Sequence, residues 1–166
     1  MPHPVNQTLI IGYGNALRGD DGAGYIAAEL LRERVQGPSV EVLSPQQLTP
    51  ELMEPISRAR QVMFIDASVV GKSGGFHSIQ LRPAPACSHF THQVTPETLL
   101  AGAQSLYGCT PKATLYTIPG RSFDIGQELT PSVRRAVEAL VEELAGVLGF
   151  TLREAAGNCK LRPSEK

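Results

Sequence analysis

Asp20 and Asp21 stand side by side in the glycine-flanked turn Gly19-Asp20-Asp21-Gly22, and a third aspartate, Asp66, closes the wholly apolar run Val62-Met63-Phe64-Ile65. His89 and His92 lie in a proline-containing stretch between residues 82 and 94. Two carboxylates from separate strands with one imidazole form a mixed oxygen and nitrogen donor set suited to a divalent transition metal. Either histidine supplies the nitrogen. Each aspartate also has a structural reading. An acidic residue just before a helix accepts backbone N–H bonds and favours the positive end of the helix dipole, which suits Asp20. Asp21 is redundant as a second cap, so its carboxylate is the freer of the two. Asp66 has the alternative of a simple turn former after a strand.

Other chemistries fit less well. The glycines of Gly12-Tyr13-Gly14-Asn15-Ala16-Leu17 follow a strand, but Leu17 replaces the third glycine of a dinucleotide fingerprint, and Asp20 and Asp21 would repel a pyrophosphate. Gly71-Lys72-Ser73 resembles the end of a phosphate-binding loop, yet Asp66 occupies the opening glycine position and Gly74-Gly75 follow instead of a helix. There is neither a GxSxG elbow nor an HExxH helix, and Cys87 has no orienting group. His3 and His77 carry no motif and read as surface residues.

The aspartates share a site only if the elements before them end together. Leu9-Ile10-Ile11 reads as a buried strand ended by Gly12-Tyr13-Gly14-Asn15, and residues 22–35 carry apolar positions at three- and four-residue steps, the spacing of a helix with one buried face. A short strand at residues 40–43 and a helix at 50–60 follow. The apolar run of residues 62–65 is expected to stop at Asp66, as a parallel strand covered on both faces. Residues 76–81 alternate like an edge strand, and the long 82–94 connection is of the kind that carries function in compact domains. Thr95-Pro96 opens a helix to about Tyr107, residues 113–119 form a fifth strand, and Thr130-Pro131 opens a last helix that Gly149 is expected to end. Strands alternating with helices predict a three-layer α/β/α domain with a mostly parallel, twisted sheet of about five strands. In such sheets ligands bind beyond the carboxyl ends of the strands, where Asp20, Asp21 and Asp66 fall.

The 166 residues fit one domain, residues 1–150, with a polar tail at 151–166. Hydrophobic residues make up 42% and charged residues 19%, the composition of a folding globular chain. Fifteen Lys and Arg against sixteen Asp and Glu leave a net charge of -1, without the basic excess that nucleic acid demands. Cys87, Cys109 and Cys159 form neither a disulfide framework nor a zinc-ribbon pattern, so a reducing cytoplasm is expected. The start Met1-Pro2-His3-Pro4 lacks the features of a signal peptide, no run is long enough to span a membrane, and a monomer is expected.

The segment from Gly12 to Gly24, Gly-Tyr-Gly-Asn-Ala-Leu-Arg-Gly-Asp-Asp-Gly-Ala-Gly, resembles the N-terminal signature of the NiFe hydrogenase maturation endopeptidases. The apolar strand ending in Asp66-Ala67, the glycine-rich turn with its alternating strand, and His92-Gln93 resemble that family's later blocks in order and spacing. The resemblance spans residues 9–148. It implies that Asp21, Asp66 and His92 are the metal-contacting and catalytic positions, with His92 preferred to His89 because Leu99 and Leu100 follow it at the family's distance. It further implies an endopeptidase that removes the C-terminal extension of the hydrogenase large-subunit precursor once nickel is inserted. Nickel is then presented by the substrate, and the resting enzyme need hold none. Two other classes share these residues: a nonenzymatic nickel-binding assembly factor, and a small-molecule hydrolase using Asp66 as base.

Overall fold

The computed structural model describes residues 8–35, 37–85 and 93–157, with side chains through residue 149. In chain order the elements are β1 (Thr8–Gly12), α1 (Ala23–Arg34), β2 (Val40–Leu43), α2 (Met53–Arg58), β3 (Gln61–Ser68), β4 (His77–Leu81), α3 (Pro96–Tyr107), β5 (Lys112–Pro119) and α4 (Pro131–Gly157). Single 3-10 turns at Gly19–Gly22 and Pro50–Leu52 lead into α1 and α2. The strands form one sheet in the order β2-β1-β3-β5-β4, parallel throughout except that β4 runs antiparallel to β5 at the edge.

Alternation along the strands divides the core. Ile10, Met63, Ile65 and Ile118 pack with α1 and the α4 stripe of Val133, Val137, Leu140, Val141, Leu144 and Leu148. Leu9, Ile11, Val62 and Phe64 pack with α2 and with Leu99, Leu100 and Ala103 of α3. The period of 2 that sends Val62 and Phe64 to the α3 side carries Asp66 to that side too, just past the core. Tyr13 continues the same face of β1 and packs on that cluster.

The α1 backbone lies almost against the sheet. A Cβ at Gly24 would stand 2.2 Å from the Ile65 carbonyl oxygen, and one at Gly12 would stand 2.1 Å from the Gly24 carbonyl oxygen. Glycine at both positions brings the start of α1, and therefore the turn before it, down onto the ends of β1 and β3.

Three expectations are corrected. Strand β3 does not stop at Asp66: Asp66, Ala67 and Ser68 remain in register with Thr117, Ile118 and Pro119, because β5 is long enough to supply partners. Asp66 is therefore held in a ladder and not at the corner of a turn. Helix α4 does not end at Gly149 but runs to Gly157. One glycine costs a helix only about 1 kcal/mol, and the Thr-Leu-Arg-Glu-Ala-Ala that follows includes strong helix formers. The expected 50–60 helix is a 3-10 turn followed by the short α2. Thr95 caps α3 as its type predicts, in a reciprocal pair with Thr98, and Gly108 ends that helix at φ 70°.

Candidate functional site

The turn between β1 and α1 is built around Asn15. Its side-chain oxygen accepts the Leu17 N–H at 2.9 Å, its carbonyl accepts the Arg18 N–H at 3.0 Å, and its own N–H donates to Asp21 Oδ2 at 3.0 Å. Gly14, at φ 139°, passes so close to Asp21 that a Cβ would meet its carbonyl oxygen at 2.0 Å. The Asp21 carboxylate is thereby aimed from a folded turn, with no hydrogen-bond donor to its second oxygen among the described residues.

Asp66 reaches the same place from β3. Burial, opposed by hydrogen bonds from the Tyr13 hydroxyl and the Ala67 N–H and reinforced by the charge of Asp21, pushes its carboxyl up to about 6. Burial, followed by the charge of Asp66 and the hydrogen bond to it, holds the Tyr13 phenol protonated well beyond its ordinary range. Tyr13 is thus a fixed donor to Asp66, its own backbone N–H being tied to the Ile65 carbonyl at 3.1 Å. Tyr13 and Asn15 were not singled out from the sequence. The signal available was their position in the turn directly after a buried strand. Glu97, in the first turn of α3, lies within electrostatic reach of Tyr13.

Asp20, expected to act through a helix cap, is structural in a different way. It has no exposed surface, and neither the 3-10 turn nor α1 receives a side-chain cap. Its Oδ2 accepts the Arg121 N–H at 2.7 Å, the Ser122 N–H at 3.1 Å and the Thr130 hydroxyl at 3.0 Å, while Oδ1 accepts the Thr130 N–H at 2.7 Å. Burial alone would raise its carboxyl, but these four donors outweigh that and hold it below the ordinary carboxylate range. Thr130 correspondingly spends its hydroxyl on Asp20 at the mouth of α4.

Asp21 and Asp66 are thus brought together and Asp20 is turned away. His92, His89 and Cys87 lie outside the described residues, as do His3 and Cys159, while His77 is exposed on β4 as expected. Among the described residues no three His, Cys, Asp or Glu side chains group to hold a metal. The carboxylate pair nevertheless suits a cation. Burial is the main reason Asp66 is harder to ionise, the nearby carboxylate of Asp21 adds to it, and a positive ion beside the pair favours the charged form. A hollow of about 680 Å³ beside α2 and α3, lined by Met53, Pro85, Thr98, Ala101 and Gln104 among others, has no ionisable side chain among the described residues that line it.

The sheet is covered on both faces, and a carboxylate pair lies toward the carboxyl ends of β1 and β3, where α/β folds bind ligands. No family model matches the chain, and no curated protein does. Solved structures do. The NiFe hydrogenase maturation protease HycI from Thermococcus kodakarensis KOD1 superposes with a TM-score of 0.71 at 25% identity, covering 87% of this chain and 93% of that one. The hydrogenase maturating endopeptidase HybD from E. coli gives 0.70 at 25%, over the same 87% and 93%. The hydrogenase 2 maturation peptidase from Thaumarchaeota archaeon SCGC_AB-539-E09 gives 0.64 at 25%, over 86% and 98%. These structural neighbours are NiFe hydrogenase maturation proteases, and the likeness supports a hydrolase role for this chain.

Proposed function

We propose that this chain is an endopeptidase that removes the C-terminal extension of a NiFe hydrogenase large-subunit precursor after nickel insertion, with nickel carried in by the substrate. The observation that carries this reading is the placing of the Asp21 and Asp66 carboxylates within electrostatic reach of one another, a pair of oxygen donors that suits an arriving cation. Asp21 presents one oxygen left over from its bond to Asn15, and Asp66 presents a carboxylate steadied by Tyr13. His92 supplies the imidazole that completes a set of oxygen and nitrogen ligands. Such a set leaves positions open for the substrate's own donors.

Asp66 suits a second task. A carboxyl that titrates near 6 takes up and releases a proton close to neutral pH, which is what a general base or acid needs at a scissile amide. Among the described residues no helix is long and apolar enough to cross a membrane, and the reading places the protein and its precursor partner in the cytoplasm.

The test is mass spectrometry of the precursor, with and without nickel, after incubation with the purified chain. The nickel-loaded precursor is expected to lose its C-terminal extension and the nickel-free form to stay intact even with added zinc. Cutting of the nickel-free precursor by a zinc-loaded enzyme would make this a conventional metalloprotease, and binding without shortening would make it an assembly factor. His92→Ala is expected to abolish processing and His89→Ala to retain most of it.

A further inference from the structure

Eight large apolar side chains stand in water among the described residues, and four of them occupy the loops beyond the carboxyl ends of β1, β3 and β5: Leu17, Val69, Val70 and Ile125, exposed by 71%, 80%, 75% and 81%. These loops are fastened to one another. Gly126 N–H donates to the Leu17 carbonyl at 2.8 Å, which sets Ile125 beside Leu17, and Gly19 N–H donates to Gln127 at 3.1 Å. Asp20 donates its N–H to Ser122 at 2.8 Å and takes four donors through its buried carboxylate. Gly120 N–H donates to Ser68 at 2.8 Å, and Ser68 Oγ in turn accepts the Val70 N–H at 3.0 Å.

An ordered loop that lifts Leu and Ile into solvent has little conformational freedom left to lose when something covers it, and burial of those side chains then favours the complex. We propose that this rim docks an apolar segment of the precursor polypeptide and so holds the scissile bond over Asp21 and Asp66. The proposal rests on the endopeptidase reading above. Continuity with the site argues for a polypeptide substrate: Leu17 lies in the Asn15–Asp21 turn, and Val69 follows Asp66 by three residues, so a chain entering the site crosses the rim. The three loops, residues 13–22, 68–76 and 120–130, hold three basic residues against four acidic ones, which gives no attraction to anionic lipid or nucleic acid.

The experiment compares the chain with its Leu17→Ser/Ile125→Ser variant on nickel-loaded precursor, reading KM, kcat and, in an Asp66→Asn background of both, the Kd by calorimetry. KM and Kd are expected to rise at least tenfold with kcat within about twofold, and the far-ultraviolet dichroism and Tm to stay unchanged. If the double variant does not fold, Val69→Ser/Val70→Ser serves in its place with the same expectation. Unmoved KM and Kd would overturn the rim, as would substitutions that abolish self-association in sedimentation while sparing precursor binding. A chain that binds precursor through the rim yet leaves it intact overturns the endopeptidase reading and leaves the rim standing. Efficient cutting with silent rim substitutions does the reverse.

Discussion

Asp20 has no exposed surface and takes hydrogen bonds from three backbone N–H groups and a hydroxyl, whereas Asp66, partly exposed on the other face of the sheet, has the Tyr13 hydroxyl and the Ala67 amide on one side and the charge of Asp21 on the other. The carboxylate with no exposed surface is held below the ordinary carboxylate range, and the partly exposed one is pushed up to about 6. Solvent exposure alone therefore does not set the direction of the shift; the balance between burial and the donors facing each carboxylate does. Full satisfaction makes Asp20 a fastener. Partial satisfaction beside a like charge makes Asp66 a group that can change state during a reaction.

The sharpest way to break this contrast is Asp66→Asn, which retains an acceptor for the Tyr13 hydroxyl but neither charge nor proton uptake. Processing should fall at least about 100-fold. Stability should move the other way. Because the folded-state value lies above the unfolded one, the contribution of Asp66 is fully present below about pH 4 and is lost as pH rises through about 6. The Asn variant should therefore be the more stable protein at pH 8, by about 2 kcal/mol, in urea titrations. Equal stabilities at pH 8 would remove the case for a strained pair.

Asp20→Ala should act oppositely, costing roughly 3 to 5 kcal/mol at pH 7 because several buried donors lose a charged acceptor together. The folded-state value of Asp20 is lowered, so its stabilisation is present above the ordinary carboxylate range and lost as pH falls through the folded value. The gap between wild type and variant should close in acid. Leu140→Ala in the fully buried stripe of α4 is a control remote from both carboxylates. It should cost roughly 2 to 5 kcal/mol, with processing near normal at a temperature where the variant stays folded. The smallest effect is expected for Tyr13→Phe. Its hydroxyl lowers Asp66, so removing it should raise Asp66 further and move the acid limb of the pH–rate profile to higher pH. An unmoved limb would mean that Asp66 does not set that limb.

Much of the scaffold was legible because its signals are local. Thr95-Pro96 and Gly108 bracket α3, the apolar stripe from Val133 to Leu148 marks α4, and the alternation of residues 76–81 marks an edge strand. What escaped depends on distant partners. The extension of β3 past Asp66 exists because β5 runs alongside it, and the role of Asp20 exists because residues 121–130 bring their amides to it. Tyr13 escaped for the same reason, since a tyrosine after a strand gains meaning only when β3 sets Asp66 on its face. The division of Asp20 from Asp21 was half legible. The capping rule favoured a structural role for Asp20 and left Asp21 the freer, but the partners of Asp20 were sought in the wrong element.

The fastening of Asp20 joins residues that lie 101 to 110 positions apart. A chain emerging from the ribosome exposes Asp21 and Asp66 long before residues 121–130 leave the tunnel, so both carboxylates exist while the long-range partners of Asp20 are still missing. Closing so long a loop costs entropy that local contacts cannot offset early. The fastening of Asp20 is therefore a late event of synthesis, and a nascent or truncated chain ending before Thr130 leaves that buried carboxylate short of its donors.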